Sequence, residues 1–269
     1  MQNSLRANPL KQRVLDGTVC FGTMIFELSS TGLPQIIEAG GAEFVIYDLE
    51  TAGLSLETVR NQIALTRGTS LVPFVRVPNL DARFVARIMD CGALGVMVPM
   101  VETGEQAAAL VRATRFPPRG DRGTTSGLAH DDYKAGDAAT KMAEEDGRVL
   151  TIAQIESMLG VENIDAIAAT PDLDVLWLGH NDLAVSMGIA GKFEHPRFQE
   201  ALDRIVAACR RHGKIAGAGA RDAEAAAPFI ARGFTAITIA SDVQLIIGGL
   251  GREIGAARKA LSTTAGEQA

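Results

Sequence analysis

Cysteine and aromatic residues are scarce in this sequence. Three of its 269 residues are cysteine, and aromatic side chains make up 5% of the chain. The cysteines are too far apart for a redox or metal-ligand motif and too few for a disulfide framework. We therefore expect Cys20, Cys91 and Cys209 to be buried, reduced thiols in a cytoplasmic protein.

Basic residues are not in excess, and long apolar runs are missing. The chain has 26 Lys and Arg against 32 Asp and Glu, a formal net charge of -6. Nucleic-acid binding without sequence preference needs a basic face, so no nucleic-acid partner is expected. No apolar run approaches the roughly 20 residues of a membrane span, and the first residues lack the apolar core of a signal peptide. No membrane partner is expected, and the predicted location is the cytoplasm.

Apolar residues are abundant, at 47%, and they follow a repeated strand–helix pattern. Repeated units of this kind predict parallel strands with helices outside, and eight of them in about 250 residues favour a closed barrel over an open sheet. No glycine-rich dinucleotide fingerprint follows the first strand, so no nicotinamide cofactor is expected. The prediction is a single α/β domain, a (β/α)8 TIM barrel over residues 1–269. Its strands are predicted at 19–26, 44–48, 71–77, 94–98, 214–219 and 235–240, and from positions 149 and 174 onward.

Two segments depart from this pattern. Residues 116–138 are rich in Pro, Gly, Arg and Asp and have little periodicity, so they are predicted to form a functional, lid-like excursion. Pro73 lies inside the third strand, where it cannot donate a ladder hydrogen bond and is therefore unfavourable.

The stretch 149–182 contains two apolar runs that each lead to an acidic residue. The first run, TIAQIE, ends at Glu156, and the second, DVLWLGHND, ends at Asp182. In neighbouring parallel strands both carboxylates would project from one edge, and oxygen ligands of this kind suit a hard divalent cation. The alternative is that Glu156 is an acid at a helix N-terminus and Asp182 an N-cap before Leu183.

Other polar residues also fall at predicted strand ends, where TIM barrels carry their chemistry. Arg76 could neutralise an oxyanion or hold a carboxylate, or it could form a structural ion pair with Asp48 or Glu50. Gln154 is two residues before Glu156, so both face inward; it could orient a substrate oxygen or be a satisfied interior amide. The full set is Glu27, Asp48, Glu50, Arg76, Glu156 and Asp182.

These residues lie within a longer series of motifs. The series is YDLE at 47–50, VRVP at 75–78, DCG at 90–92, GVMVPMV at 95–101, QA at 106–107, FPPRG at 116–120, RG at 122–123, QIE at 154–156, Gly179, and NDL at 181–183. In order and spacing the series resembles the HpcH/HpaI family of metal-dependent aldolases. The resemblance covers nearly the whole chain, from about residue 22 to the last helix.

The resemblance implies a class II aldolase on a barrel of the phosphoenolpyruvate/pyruvate type. Such an enzyme cleaves a 4-hydroxy-2-oxo acid to pyruvate and an aldehyde through a metal-stabilised enolate. It implies that Mg²⁺ or Mn²⁺, sometimes Co²⁺, is bound by Glu156 and Asp182, and that a 2-oxo acid completes the coordination. Neither PLP nor a Schiff-base lysine is implied, since no lysine falls at a strand end.

The resemblance also implies the roles of the residues around the metal. Arg76 would stabilise the enolate, and Asp48 would support metal-bound water. Substrate would be held by Arg76, Gln154, Gly179, Asn181 and Asp182.

The sequence departs from the family pattern where the family carries its general base. That base is commonly a histidine at the position occupied here by Thr51, and Asp90 matches the acid that supports it from a neighbouring subunit. His180 replaces a proline common in the family. It could supply base chemistry from the opposite side, or be a solvent-facing loop residue with metal-bound water as the base.

Three further alternatives remain open at this point. The site could serve a CoA-thioester lyase or a 2-oxo acid decarboxylase, or the barrel could bind metal and oxo acid without catalysis. The resemblance also implies a homohexamer, a trimer of dimers that exchange the last helix. The apolar segment 243–250 would suit this exchange, or it could pack on its own barrel.

Overall fold

The structure, a computed structural model that describes residues 5–266, is a closed barrel of eight parallel strands in sequence order. Each strand pairs with its neighbours in sequence, and the last closes the ring on the first. The predicted (β/α)8 fold is confirmed. The strands are β1 (Cys20–Ile25), β2 (Phe44–Asp48), β3 (Val72–Arg76), β4 (Gly95–Val98), β5 (Leu150–Ile155), β6 (Val175–Leu178), β7 (Ile215–Ala220) and β8 (Ala236–Ser241).

Helices surround the barrel. Within residues 5–266 no helix is both long enough and apolar enough to cross a membrane. The helices are α1 (Pro9–Leu15), α2 (Leu33–Ala39), α3 (Leu56–Leu65), α4 (Ala82–Asp90), α5 (Gly104–Thr114), α6 (Ala138–Arg148), α7 (Met158–Glu162), α8 (Ile164–Ala168), α9 (His180–Ser186), α10 (Pro196–His212), α11 (Ala223–Arg232) and α12 (Asp242–Gly266).

Strand alternation decides which side chains reach the inside of the barrel. Along β2, Phe44 and Ile46 join the apolar cluster inside the barrel, whereas Val45 and Tyr47 join the cluster between strands and helices. Successive strand residues point to opposite faces, so the next inward position on β2 is its last residue, Asp48. The same reasoning brings Arg76 inward on β3, after Val72 and Phe74, and Gln154 inward on β5, after Leu150 and Ile152.

Pro73 is accommodated because β4 starts late. The register pairs Phe74 with Gly95, the first residue of β4, so Pro73 precedes that ladder. Its carbonyl still accepts a hydrogen bond from Leu94 N at 2.9 Å. The missing N–H therefore costs no ladder hydrogen bond, even though a closed barrel has no edge strand.

Three helices were not predicted. In α1, Leu10 and Val14 join the apolar cluster inside the barrel, but the helix is only seven residues long. In α6 the buried residues are Lys141, Glu145 and Asp146, so there is no apolar periodicity to detect. The third, α9, is also seven residues long.

The excursion does not cover the strand ends of its own barrel. It begins where α5 ends and leads through α6 to the start of β5, and these two points lie at the N-terminal end of the barrel. Its ion pairs hold it there: Arg122 Nη2 lies 2.7 Å from Asp90 Oδ1, and Arg119 Nη2 lies 2.6 Å from Asp172 Oδ1, before β6. These pairs place the excursion away from the strand ends that carry Arg76 and Gln154, and its functional, lid-like role stays a prediction.

The last helix leaves most of its apolar side chains in solvent. Ile247 is 67% exposed and Leu250 is 58% exposed. A cavity of about 590 Å³ lies beside the start of α12, between β1 and α2, and is lined mainly by apolar side chains including Phe21, Ile36 and Leu245. The segment 243–250 thus does not bury its apolar face on its own barrel.

Candidate active site

An arginine and an aspartate face each other at the carboxyl ends of β2 and β3. The register places Asp48 directly beside Arg76, and Arg76 Nε donates a 2.6 Å hydrogen bond to Asp48 Oδ1. Asp48 Oδ2 accepts from the Thr51 hydroxyl at 2.6 Å and from the backbone N–H groups of Thr51 and Ala52. Burial alone would raise the pKa of Asp48, but the Arg76 and Thr51 hydrogen bonds outweigh it and lower that pKa. Asp48 is therefore a fixed, ionised anchor for Arg76.

Glu156 lies just beyond β5 and is held by two donors. Its Oε1 accepts a 2.7 Å hydrogen bond from Met100 N, and its Oε2 accepts one from Gln154 Nε2. Met100 has φ of 53°, in the left-handed region that a non-glycine residue seldom adopts. That strained conformation turns its N–H toward the carboxylate. Glu156 precedes Ser157, the N-cap of α7, so it is not part of the helix and the helix-acid alternative is wrong.

Gly179 allows the chain to pass close to this carboxylate. A Cβ at position 179 would lie 2.4 Å from Glu156 Oε2 and 3.1 Å from Gln154 Nε2. Only a glycine leaves room for the backbone to approach so closely. Gly179 is also the N-cap of α9, which carries His180, Asn181 and Asp182 in its first turn. Asp182 is therefore inside the helix, and the N-cap alternative for it is wrong.

His180 lies at the mouth of the barrel rather than on a solvent-facing loop. It is half-buried, lines the same cavity as Arg76 and Gln154, and its ring makes an edge contact with Phe193 at 5.5 Å between centroids. Burial lowers its pKa, partly opposed by the charge of Asp182. The imidazole is therefore mainly neutral at pH 7.

Negative charge is in excess at the mouth. Burial raises the pKa of Glu50 to about 6; Arg76 opposes the rise, and the charges of Glu156, Asp48 and Asp182 add to it. Burial also raises the pKa of Glu156, and Asp182 contributes further. Glu50 Oε2 lies 3.0 Å from Arg76 Nε but makes no aligned hydrogen bond. The positive charge of Arg76 is therefore shared among several carboxylates. A bound cation would relieve the repulsion between these carboxylates.

The donor set fits a divalent ion that keeps open coordination positions. Each Glu156 oxygen accepts one hydrogen bond and so retains a lone pair, and the Asp182 side chain is exposed to the cavity. No group of three or more His, Cys, Asp or Glu residues suited to a metal ion occurs within residues 5–266. Two carboxylates suffice for Mg²⁺, which commonly retains waters and takes oxygens from its substrate.

The structure thus brings together most of the predicted site residues. Arg76, Gln154, Gly179, His180, Asn181 and Asp182 all line one cavity of about 300 Å³. Asp48 and Glu156 are joined to it by hydrogen bonds to Arg76 and Gln154. Asp90 is not part of this group: it ends α4, at the opposite end of the barrel, and is paired with Arg122.

Several residues of the cavity were missed from the sequence. Most of them are apolar or neutral residues near the ends of β1, β6 and β8 or at the start of α12, which gave no chemical signal, and the charged Arg221 follows the weak, glycine-rich β7. No lysine lines this cavity in the described part of the chain. The missed residues include Met24, Phe26, Trp177, Arg221, Thr238, Ser241 and Gln244.

Comparison with known proteins shows that the chain is similar to aldolases. The family profile of HpcH/HpaI aldolase/citrate lyase matches residues 24–248. A 5-keto-4-deoxy-D-glucarate aldolase of Salmonella arizonae is 32% identical over 249 residues, which is 93% of this chain and 96% of that protein.

Two solved structures show the same fold. An HpcH/HpaI aldolase from Desulfitobacterium hafniense has a TM-score of 0.88 at 28% identity, covering 93% of this chain and 96% of that one. The citrate synthase SbnG has a TM-score of 0.82 at 26% identity, covering 95% and 99%. The chain belongs to the HpcH/HpaI aldolase/citrate lyase family.

Proposed function

We propose that this protein is a divalent-metal-dependent aldolase that cleaves a 4-hydroxy-2-oxo acid to pyruvate and an aldehyde. The observation that carries the proposal is the excess of carboxylates around the guanidinium of Arg76. Glu156 is only 3% exposed, its pKa is raised by burial, and Asp182 adds to the rise. A buried carboxylate beside another acid is costly unless a cation joins the pair.

Glu156 and Asp182 would hold the metal ion. When bound, the ion supplies a Lewis acid that polarises the 2-oxo group of the substrate. Met100 N and Gln154 Nε2 fix the Glu156 carboxylate before any ligand arrives. Because the Glu156 carboxylate is already oriented, it does not have to rearrange during the reaction.

Arg76 would neutralise the oxyanion that develops when the carbon–carbon bond breaks. Its Nε is committed to Asp48, and its Nη2 lies 3.3 Å from Thr51 Oγ1, which leaves other N–H groups for substrate. A guanidinium held by a buried carboxylate remains charged and does not swing away. Such fixed donors stabilise developing charge more effectively than mobile ones.

The relative from Salmonella suggests the first substrate to test. Its name describes a six-carbon oxo diacid, 5-keto-4-deoxy-D-glucarate. We propose this compound, or one of the same chemical type, as the substrate here. Cleavage would give pyruvate and an aldehyde that carries the second acid group.

Deuterium exchange into the pyruvate methyl group tests the metal and enolate chemistry without an aldehyde. The protein is stripped with chelator and assayed by proton NMR with and without Mg²⁺ or Mn²⁺. We expect exchange only with metal, and its loss in Glu156→Gln. Glu162→Gln is the matched control, because it removes the same charge from an exposed helix end. Binding of pyruvate or oxalate without exchange in any metal would contradict the aldolase proposal.

The structural similarity to the citrate synthase SbnG supports a second candidate, a condensing enzyme that works in the bond-forming direction. The same acids and arginine would stabilise the enolate of the donor, whichever direction the reaction takes. Incubation with oxaloacetate as acceptor and an acetyl thioester as enolate donor would distinguish the two, because carbon–carbon bond formation followed by hydrolysis of the thioester gives a tricarboxylate. A new tricarboxylate product in place of pyruvate release would favour the condensing activity.

We also propose that the protein is a homo-oligomer, a hexamer in which α12 is exchanged between subunits. The support is the exposed apolar face of α12 together with the apolar cavity beside it. Ile247→Asp should reduce the assembly size measured by analytical ultracentrifugation. Unchanged size in this variant, or a monomeric parent protein, would contradict the proposal.

A further inference from the structure

The cavity at the barrel mouth has a second arginine on the side away from Arg76. Arg221 follows the last residue of β7, whereas Arg76 ends β3. In a closed ring of eight strands in sequence order, β3 and β7 are four strands apart and therefore opposite one another. Both residues line the same cavity, with Gly179 and Asp182 of the intervening β6 connection between them along one side.

The local structure leaves the end of the Arg221 guanidinium available. Arg221 Nε donates a 2.9 Å hydrogen bond to Asp222 Oδ2, while Asp222 Oδ1 caps α11 by accepting from Ala225 N. Within residues 5–266, no hydrogen bond is made by the two terminal nitrogens of Arg221. Those two nitrogens form the fork that binds a carboxylate through two parallel hydrogen bonds.

The surroundings of Arg221 differ from those of Arg76. Asp48, Glu50 and Glu156 converge on Arg76, whereas within residues 5–266 Arg221 pairs with one acid, Asp222. The neighbours of Arg221 along the cavity wall are neutral polar groups. A substrate anion placed near Arg221 would therefore avoid most of the acidic cluster. The neutral residues on this side are Thr238, Ser241 and Gln244.

We propose that Arg221 binds a second carboxylate at the aldehyde end of the substrate and so selects substrates with an acid at both ends. This inference rests on the proposed function, because it takes the 2-oxo acid end of the substrate to lie at Glu156, Asp182 and Arg76. Arg76 then binds the 2-oxo acid end of one extended substrate molecule, and Arg221 binds the carboxylate at its other end. Arg221 is a specificity-determining residue that does not touch the bond that breaks.

A binding experiment tests this proposal independently of turnover. The Mn²⁺-loaded protein is titrated calorimetrically with 2-oxoadipate and with 2-oxohexanoate, which have the same six-carbon length and lack the 4-hydroxyl needed for cleavage. Since the side chain of Arg221 is 77% exposed, solvent screens the contact. We expect a preference for the dicarboxylate of roughly tenfold, the size of one charge-assisted hydrogen-bond pair.

Variants of Arg221 test whether this residue causes the preference for the dicarboxylate. Arg221→Gln should bring the ratio of the two affinities close to one, and Arg221→Lys should retain part of it because the charge remains without the fork. The matched control is Arg211→Gln on the outer helix α10, which breaks an exposed ion pair with Asp165 and should leave the ratio as in the parent protein.

The outcomes separate this proposal from the proposed function. A ratio near one in the parent protein, an unaltered ratio in Arg221→Gln, or no binding of either acid overturns the role of Arg221. If pyruvate exchange is absent but the preference depends on Arg221, the proposed catalysis fails and the carboxylate site stands. If exchange is present and no preference is found, the role of Arg221 fails alone.

Discussion

Replacing Glu50 by Gln should stabilise the metal-free protein at pH 8. Burial raises the pKa of Glu50 from 4.5 to about 6, so the folded state disfavours the charged form. At 1.36 kcal/mol per pKa unit the full penalty is about 2 kcal/mol. The side chain is 24% exposed and faces an open cavity, so we reduce this for solvent screening to about 1 kcal/mol. For a domain of this size the gain corresponds to roughly 2–4 °C in Tm.

The effect of Glu50 should depend on pH with a definite sign. Below pH 4.5 the carboxyl is protonated in both the folded and unfolded states, so it contributes no penalty. Between pH 4.5 and about 6 the unfolded state loses its proton first, and the penalty on the folded state grows. Above pH 6 the penalty is complete. Thermal unfolding of chelator-treated protein should therefore show a gain for Glu50→Gln at pH 8 that disappears near pH 4.5.

Two controls make the Glu50 result interpretable. Glu162→Gln changes the net charge equally at an exposed site and should not reproduce the pH-dependent gain. Adding Mn²⁺ should raise the Tm of the parent protein more than that of Glu50→Gln, because the ion relieves the same repulsion. A lower Tm for Glu50→Gln at pH 8, or a difference that is the same at both pH values, would refute the charge-excess reasoning.

Three further substitutions test the geometry of the site. Gly179→Ala introduces a Cβ 2.4 Å from Glu156 Oε2, so we expect a loss of about 1–3 kcal/mol in stability and a smaller Mn²⁺-induced rise in Tm. Gly217→Ala is its matched partner: its Cβ would lie 2.3 Å from Trp177 Cε3, which should cost a similar amount in thermal unfolding without reducing the Mn²⁺ response. Asp182→Asn should abolish the Mn²⁺-induced rise in Tm without lowering the Tm of the metal-free protein; a retained rise would exclude Asp182 as a ligand.

Period-two alternation predicted the inward side of the site because the strands that carry it are almost entirely buried. Gln154 follows Leu150 and Ile152 at alternate positions, and the structure keeps all three inward. Arg76 could be placed on the same grounds. The pairing of Arg76 with Asp48 was left as one alternative, since register between two strands depends on contacts far apart in sequence.

Other parts of the molecule carried no local signal. The helix α6 buries Lys141 and Glu145 through ion pairs rather than apolar contacts, so its sequence looks like a loop. The excursion was predicted to be functional and lid-like, but its position depends on ion pairs such as Arg122 with Asp90, which no periodicity reveals. Arg221 was missed because it follows a weak, glycine-rich strand.

The contacts of Thr51 make it unsuitable as the proton acceptor. The Thr51 hydroxyl donates to Asp48 Oδ2 at 2.6 Å, and Thr51 Oγ1 accepts a hydrogen bond from Arg76 Nη2 at 3.3 Å. A hydroxyl engaged in this way is both poorly basic and sterically fixed. Thr51 therefore helps to hold Arg76, and any side chain that accepts the substrate proton must come from elsewhere at the mouth.

His180 is placed to accept that proton from the other side. It follows β6, which is four strands from β2 in the closed ring and therefore opposite Thr51. Its lowered pKa leaves a neutral ring with one free lone pair at pH 7. If His180 is the acceptor, His180→Gln should reduce metal-dependent pyruvate exchange by about 10²-fold or more while keeping the Mn²⁺-induced rise in Tm. Exchange within a few-fold of the parent rate would instead assign the proton to water.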